Sequence, residues 1–92
     1  MDRTEFETQL RRAGFEVASA EMKANEQRAE HSHDFEVRAL VLEGSITLTY
    51  GGREHTYQAG EIFHMPAGMP HAEQVGPEGY RYVVGRRQPA NA

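Results

Sequence analysis

The chain has 92 residues, which is the length of a single domain. Its 14 acidic and 10 basic residues give a formal charge of −4, which disfavours nucleic acid as a partner, and the lack of cysteine excludes disulfides, thiolate zinc sites and cysteine nucleophiles. The charged N-terminus has no apolar run of the kind found in signal peptides or membrane spans, so we expect a soluble cytoplasmic protein that binds no membrane.

A short helix is predicted over residues 4–13. Thr4 and Glu7 have the spacing of a capping box at its start. Its apolar face, at helical spacing, consists of Phe6, Leu10 and Ala13. We assign no chemistry to this helix and expect it to cover one end of the fold or a partner subunit.

Beyond Gly14 the chain breaks into short apolar runs separated by turn residues, which is typical of an all-β sandwich or barrel. Residues 15–22 are a candidate for a first strand, and the polar residues 25–30 are predicted as a loop. Further strands are predicted at residues 37–42, 46–50, 53–57, 62–65, 71–75 and 80–85. Turns are predicted between them, among others at residues 43–45, 51–52 and 76–79.

No repeat or linker interrupts this pattern, so we predict one domain over residues 1–92. It consists of the helix at 4–13, a barrel at 15–87 and a flexible tail at 88–92. A domain of this size buries roughly two-thirds of the surface that its unfolded chain exposes, so its core is modest. A metal ion or a subunit interface would add stability.

Histidines are the residues best suited to chemistry, and they occur at positions 31, 33, 55, 64 and 71. His31 and His33 are two residues apart, so on a strand they point to the same face. Two imidazoles on one face are suited to binding a metal ion. His71 follows after several turns, and only a folded barrel would bring it to the first pair.

The histidines lie in two segments that resemble the signature motifs of the cupin superfamily of small β-barrels. The second motif, G-x5-P-x-G-x2-H, is matched by Gly60, Pro66, Gly68 and His71. The first motif is matched in part, by His31, His33 and Gly44. The resemblance covers residues 25–75. It implies a cupin-type double-stranded β-helix, or jelly-roll barrel, and one divalent metal ion held by His31, His33 and His71.

One departure from the cupin pattern concerns the glutamate that is the fourth metal ligand in the superfamily. The pattern places it at position 37 or 38, which here hold Val37 and Arg38. Glu36 lies one step early, and strand parity turns it away from the face of the histidines unless a β-bulge re-aims it. The site is therefore either three histidines with water, or three histidines with Glu36.

Three further residues are candidates for the pocket, although none is assigned a catalytic role. His64 lies within the second motif and would act as an acid, a base or a hydrogen-bonded structural residue. Tyr50 would offer a phenol or pack in the core, as aromatic strand residues do. Glu73 shares strand parity with His71. His55 lies among polar residues and is expected to be a surface residue.

A metal ion with three imidazole ligands keeps an open position for water or substrate. The donor set suits zinc, iron, nickel or manganese and does not choose among them. Two functions follow from the resemblance: a metal-dependent enzyme (an oxygenase, isomerase or lyase) acting on a small molecule, or a non-catalytic module that binds or senses a small ligand. The resemblance and the modest core also lead us to expect a homodimer.

Overall fold

The computed structural model describes residues 1–89, and the last three residues of the predicted tail lie outside them. Residues 88 and 89 follow the last strand without regular structure. No helix in the described part of the chain is long and apolar enough to cross a membrane. The elements are α1 (Arg3–Arg12), β1 (Glu16–Met22), β2 (Gln27–His31), β3 (Glu36–Tyr50), β4 (Arg53–Gln58), β5 (Ile62–Met65) and β6 (His71–Arg87).

The helix α1 lies on the outer face of the sheet. It begins one residue earlier than predicted, because the Asp2 carboxylate, rather than a capping box, accepts a hydrogen bond of 2.9 Å from the backbone N–H of Glu5. Phe6 and Leu10 of the predicted apolar face are each only 1% exposed. They pack against the sheet in a cluster with Phe15, Leu40 and Val83.

All six strands belong to one antiparallel sheet, in which β3 and β6 are the long central pair. The strand order is β1–β6–β3–β4, with β2 also pairing with β6 and β5 with β3. The first part of β6 pairs with β2 and the second half of β3, and its later part pairs with β1 and the first half of β3. This arrangement confirms the predicted all-β jelly-roll barrel with one short N-terminal helix.

Two predicted turns lie inside continuous strands. The turn predicted at 43–45 is wrong, because β3 runs through it and its pairing with β6 shifts register there. The turn predicted at 76–79 lies within β6 in the same way. Gly44 and Gly79 have positive φ angles of 76° and 83°. Such residues allow irregularities that shift the register and twist the strand without reversing the chain.

Of the polar segment predicted as a loop, residues 25–30, residues 27–30 instead belong to β2, and residues 25 and 26 lie outside the strand. All of its strand residues except His31 are exposed, so hydrophobic periodicity gives no sign of a strand. Its backbone nevertheless pairs with β6, with Arg28 opposite Glu73. The register then shifts by one residue, and this irregularity places His31 opposite His71.

Alternation along the strands separates an inner apolar layer from the outer layer beneath α1. Consecutive residues of β3 point to opposite sides, so Leu40 packs with the helix while Ala39 and Val41 belong to the inner layer. Burying one large aliphatic side chain contributes about 1.5–3 kcal/mol. The inner layer consists of Met22, Ala39, Val41, Ile46, Leu48, Phe63, Met65, Val75, Tyr80 and Val84.

Replacing Gly44 with alanine should destabilise the fold strongly. Gly44 has a φ of +76°, and an added Cβ would overlap the backbone carbonyl of Gly79. Gly52 has the same φ of +76°, with no atom within 4 Å of an added Cβ. We therefore expect Gly52→Ala to cost about 1–2 kcal/mol for its backbone conformation alone, and Gly44→Ala at least about 3 kcal/mol once the clash is added.

Urea unfolding of the two glycine variants measures this difference. Equal losses of stability in both variants would contradict the close approach of β3 and β6 at Gly44.

Candidate metal centre

His31, His33 and His71 converge on one point inside the barrel, as the two motifs predict. One ring nitrogen of each lies within 4.8 Å of a ring nitrogen of the other two. Nitrogen ligands lie about 2.0–2.1 Å from a zinc ion, so two ligands of one ion are at most about 4.2 Å apart. A small closure of the rings would therefore accommodate one divalent ion, and the three residues fit the metal site that the motifs imply.

Backbone carbonyls orient two of the three rings. Nδ1 of His31 donates to the carbonyl of Ala29 at 2.8 Å, and Nδ1 of His71 donates to the carbonyl of Met69 at 2.9 Å. Because a carbonyl only accepts hydrogen bonds, Nδ1 carries the proton in each neutral ring. The lone pair of Nε2 is then free for a metal, as in other sites where a second hydrogen bond orients the ligand.

His33 is held by different contacts. Its ring stacks on Phe35 with centroids 4.7 Å apart, and its backbone carbonyl accepts a hydrogen bond of 2.8 Å from the N–H of Gly68. Burial, together with the neighbouring His31 and His71, lowers the pKa of His33. The lower pKa favours the neutral imidazole, which is the form that binds metal.

A cavity of about 110 Å³ lies beside the histidines, and His33 and His71 form part of its wall. It is smaller than a cavity of about 150 Å³ that holds benzene in an engineered protein. Its apolar wall consists of Val37, Ala39, Leu48, Phe63, Met65 and Val84. Its remaining residues are Arg28, Phe35, Glu73, Tyr80, Tyr82 and Arg86. A metal ion on the histidines would therefore adjoin a small space suited to a compact molecule.

Tyr80 carries a hydroxyl that is buried without a hydrogen-bond partner among the described residues. The residue is 4% exposed, and its ring stacks on Tyr82 with centroids 4.2 Å apart. Burial raises the pKa of Tyr80 far above its usual value, so the phenol keeps its proton and is a hydrogen-bond donor. An unsatisfied buried hydroxyl costs about 1–3 kcal/mol, so Tyr80 carries a polar group that lowers the stability of the fold.

The structure does not bring Glu36 to the histidines. Its carboxylate lies on the outer face of the sheet, 2.7 Å from a guanidinium nitrogen of Arg87 and 2.7 Å from Nε2 of His64. Strand alternation is the reason, because the next residue, Val37, lines the cavity. The register shifts of β3 occur only beyond Val41 and so do not re-aim Glu36.

The other pocket candidates are divided between the cavity and the rest of the fold. His64 and Tyr50 are not among the described residues that line the cavity, and the Tyr50 hydroxyl is instead 3.3 Å from that of Tyr57. Glu73 does line the cavity. Its Oε2 atom is 3.7 Å from Nε2 of His31, which places a carboxylate beside the cluster.

Sequence reasoning missed several residues of the cavity wall. Tyr80, Tyr82 and Arg86 share strand parity, and this parity groups them on one face once β6 is known to continue to Arg87. Arg28 lies in a polar segment without periodicity and carries no such signal. Because a turn is predicted at 76–79, the sequence does not indicate that His71 and the two tyrosines lie on one strand.

Comparison with known proteins places the chain in a family. The family model described as "Cupin domain" matches residues 18–78, which is well over half of the chain and includes all three clustered histidines. The chain therefore belongs to the cupin domain family. No curated protein matches the sequence.

Several solved structures share the fold. A protein of unknown function from Rhizobium leguminosarum bv. viciae 3841 is 18% identical, with a TM-score of 0.76 over 84% of this chain and 73% of its own. The polyketide cyclase RemF from Streptomyces resistomycificus is 31% identical, with a TM-score of 0.68 over 83% of this chain and 57% of its own. An HTH_3 family transcriptional regulator from Vibrio cholerae is 20% identical, with a TM-score of 0.69 over 87% of this chain and 46% of its own. This chain thus spans only about half the length of the last two proteins.

The Tyr80 hydroxyl should contribute nothing to stability in the absence of a ligand. We expect Tyr80→Phe to leave the free energy of unfolding unchanged or to raise it by up to about 1 kcal/mol, because the variant buries no unpaired hydroxyl. The control is Tyr57→Phe, which removes a hydroxyl paired with Tyr50 and should cost about 0.5–1.5 kcal/mol. A loss in Tyr80→Phe as large as that in the control would show that the Tyr80 hydroxyl has a partner.

The outer-face contacts of Glu36 should stabilise the fold at neutral pH and lose their effect in acid. Hydrogen bonds from Arg87 and then His64 lower the pKa of Glu36 below its usual value of 4.5. A carboxyl group with a lowered folded-state pKa adds stability above its unfolded pKa and loses it as the pH falls through the folded value. Glu36→Gln should therefore cost about 1 kcal/mol at pH 7.

Chemical unfolding of wild type and Glu36→Gln at pH 7 and pH 3 measures this pH dependence. The difference between the two proteins should shrink at the lower pH, and a difference of the same size at both would contradict the assigned pairing.

Proposed function

We propose that this cupin holds one divalent metal ion on His31, His33 and His71 and is a metal-dependent enzyme that acts on a small molecule in the adjoining cavity. The observation that carries the proposal is the convergence of three imidazoles beside that cavity. Backbone carbonyls leave Nε2 free on two of the rings. Zinc, iron, nickel or manganese would suit these donors.

A divalent ion on neutral imidazoles supplies a Lewis acid with positions open to water or substrate. The residues of the chain itself would then bind and orient the molecule. Tyr80 and Tyr82 would form part of the wall around it, and burial keeps the Tyr80 phenol protonated. The apolar wall would exclude water and limit the size of what enters.

An oxygenase, an isomerase or a lyase is the kind of enzyme that we propose. The likeness to RemF, a polyketide cyclase that is 31% identical, supports chemistry on a small organic molecule. The alternative is a non-catalytic module that binds or senses a ligand, which the likeness to part of a transcriptional regulator supports. In both cases the metal and the cavity form the binding site, and we propose a homodimer as the assembly.

Metal analysis tests the proposed site directly. Protein purified without a nickel column should contain about one equivalent of divalent metal, because three preoriented imidazoles form a site for one ion. His31→Ala/His33→Ala removes two of the three ligands and should lose the metal. Elemental analysis measures the content, and circular dichroism checks that the variant is folded.

A matched control replaces two histidines outside the cluster, His55 and His64, with alanine. This variant loses the same number of imidazoles and should keep its metal. Equal metal content in wild type and in the His31/His33 variant would refute the site. With the metal in place, conversion of a member of a small-molecule panel, followed by NMR, would indicate an enzyme, and binding without conversion would indicate a module.

A further inference from the structure

Glu73 places a carboxylate beside the histidine cluster. Its Oε2 atom is 3.7 Å from Nε2 of His31, and its side chain is 17% exposed. It lies two residues after His71 on β6, and so on the same face of the strand. It also lines the cavity that His33 and His71 line. A donor of a different chemical type thus lies beside the three imidazoles.

The pairing of β2 with β6 produces this placement. Arg28 lies opposite Glu73, and after the one-residue shift His31 lies opposite His71. His31 is therefore a diagonal neighbour of Glu73 across an antiparallel pair, which is within reach of a long side chain. The backbone register, rather than the rotamer of an exposed side chain, brings the two residues together.

The position at which the cupin pattern expects a carboxylate is taken by an apolar side chain. Val37 faces the cavity, and the adjacent Glu36 is engaged on the outer face by Arg87 and His64. Among the described residues that line the cavity, Glu73 is the one with a carboxylate. Among the described lining residues, the carboxylate of the cavity therefore comes from β6 and not from β3.

We propose that Glu73 is the fourth protein ligand of the metal ion, an inference that rests on the metal site proposed above. Glu73 replaces the glutamate of the first cupin motif, which this chain lacks at positions 37 and 38. Two donors that each lie about 2.0–2.2 Å from one ion are about 3–4 Å apart at ordinary coordination angles. The 3.7 Å between Glu73 and His31 lies within that range. The glutamate side chain has three rotatable bonds, so its carboxylate adjusts to an ion without backbone movement.

A carboxylate changes what the site binds. Carboxylate oxygen is a harder ligand than imidazole and suits manganese and iron better. It also offsets one of the two positive charges of the ion, which weakens the ion as a Lewis acid. Four protein ligands on a six-coordinate ion would leave two positions for substrate and water.

Titration with cobalt(II) tests this role, because calorimetry measures the affinity of the site for the ion and the visible absorption of the bound ion depends on its ligands. Metal-free wild type and Glu73→Gln are titrated with Co²⁺ and followed by calorimetry and by visible absorption. Glu73→Gln should bind Co²⁺ at least roughly 10-fold more weakly, because even the loss of a group that only supports a ligand costs about 10- to 100-fold in affinity. Its absorption band should also shift, because a neutral amide replaces the charged carboxylate ligand.

Glu36→Gln is the matched control, since it makes the same chemical change on the outer face of the sheet. It should bind Co²⁺ with wild-type affinity and spectrum. Thermal unfolding of metal-free Glu73→Gln should match that of wild type, which separates loss of a ligand from loss of fold.

An unchanged affinity or an unchanged spectrum in Glu73→Gln would overturn the proposal, as would a larger loss in Glu36→Gln. If wild type binds Co²⁺ and Glu73→Gln binds it equally well, the three-histidine site stands without Glu73. If wild type takes up no Co²⁺ at all, the proposed metal site fails together with this inference.

Discussion

The antiparallel pairing of β3 with β6 is the constraint on which the rest of the structure depends. The two strands pair along most of their length, and each of the other strands joins one of them. Register shifts near Gly44 let both strands continue from one part of the barrel into the other. β6 begins at His71 and ends at Arg87. This single strand therefore carries one histidine of the cluster and several other residues of the cavity wall, among them Glu73, Tyr80, Tyr82 and Arg86.

Strand alternation decides which of these side chains take part in the site. Val37 faces the cavity, so Glu36 beside it must face outward, where it joins β3 to Arg87 at the end of β6. The same rule places Glu73 on the face of His71. Glu36 therefore contacts Arg87 and His64 on the outer face, whereas Glu73 lines the cavity, although both lie within three residues of a clustered histidine.

The interior of the barrel departs from the packing of an ordinary core. His71 is 4% exposed, Tyr80 keeps an unpaired hydroxyl, and both residues line a cavity in a domain whose core is modest. The unpaired hydroxyl and the cavity each cost stability in the absence of a ligand. Sites at which local rules of folding are broken are expected where a protein functions, and here they coincide with the point on which the three imidazoles converge.

The sequence by itself determined the fold class and the helix with its buried Phe6 and Leu10. It also indicated which three histidines lie together, because periodicity and motif spacing are local properties of the chain. It left open whether a bulge turns Glu36 toward the histidines, and the structure places the Glu36 carboxylate on the outer face. Only the tertiary structure decided that β2 is a strand, that His31 lies opposite His71, and that Tyr80 and Glu73 share the cavity. These features depend on register shifts between distant strands, and a register shift is a property of two paired backbones that no single segment encodes.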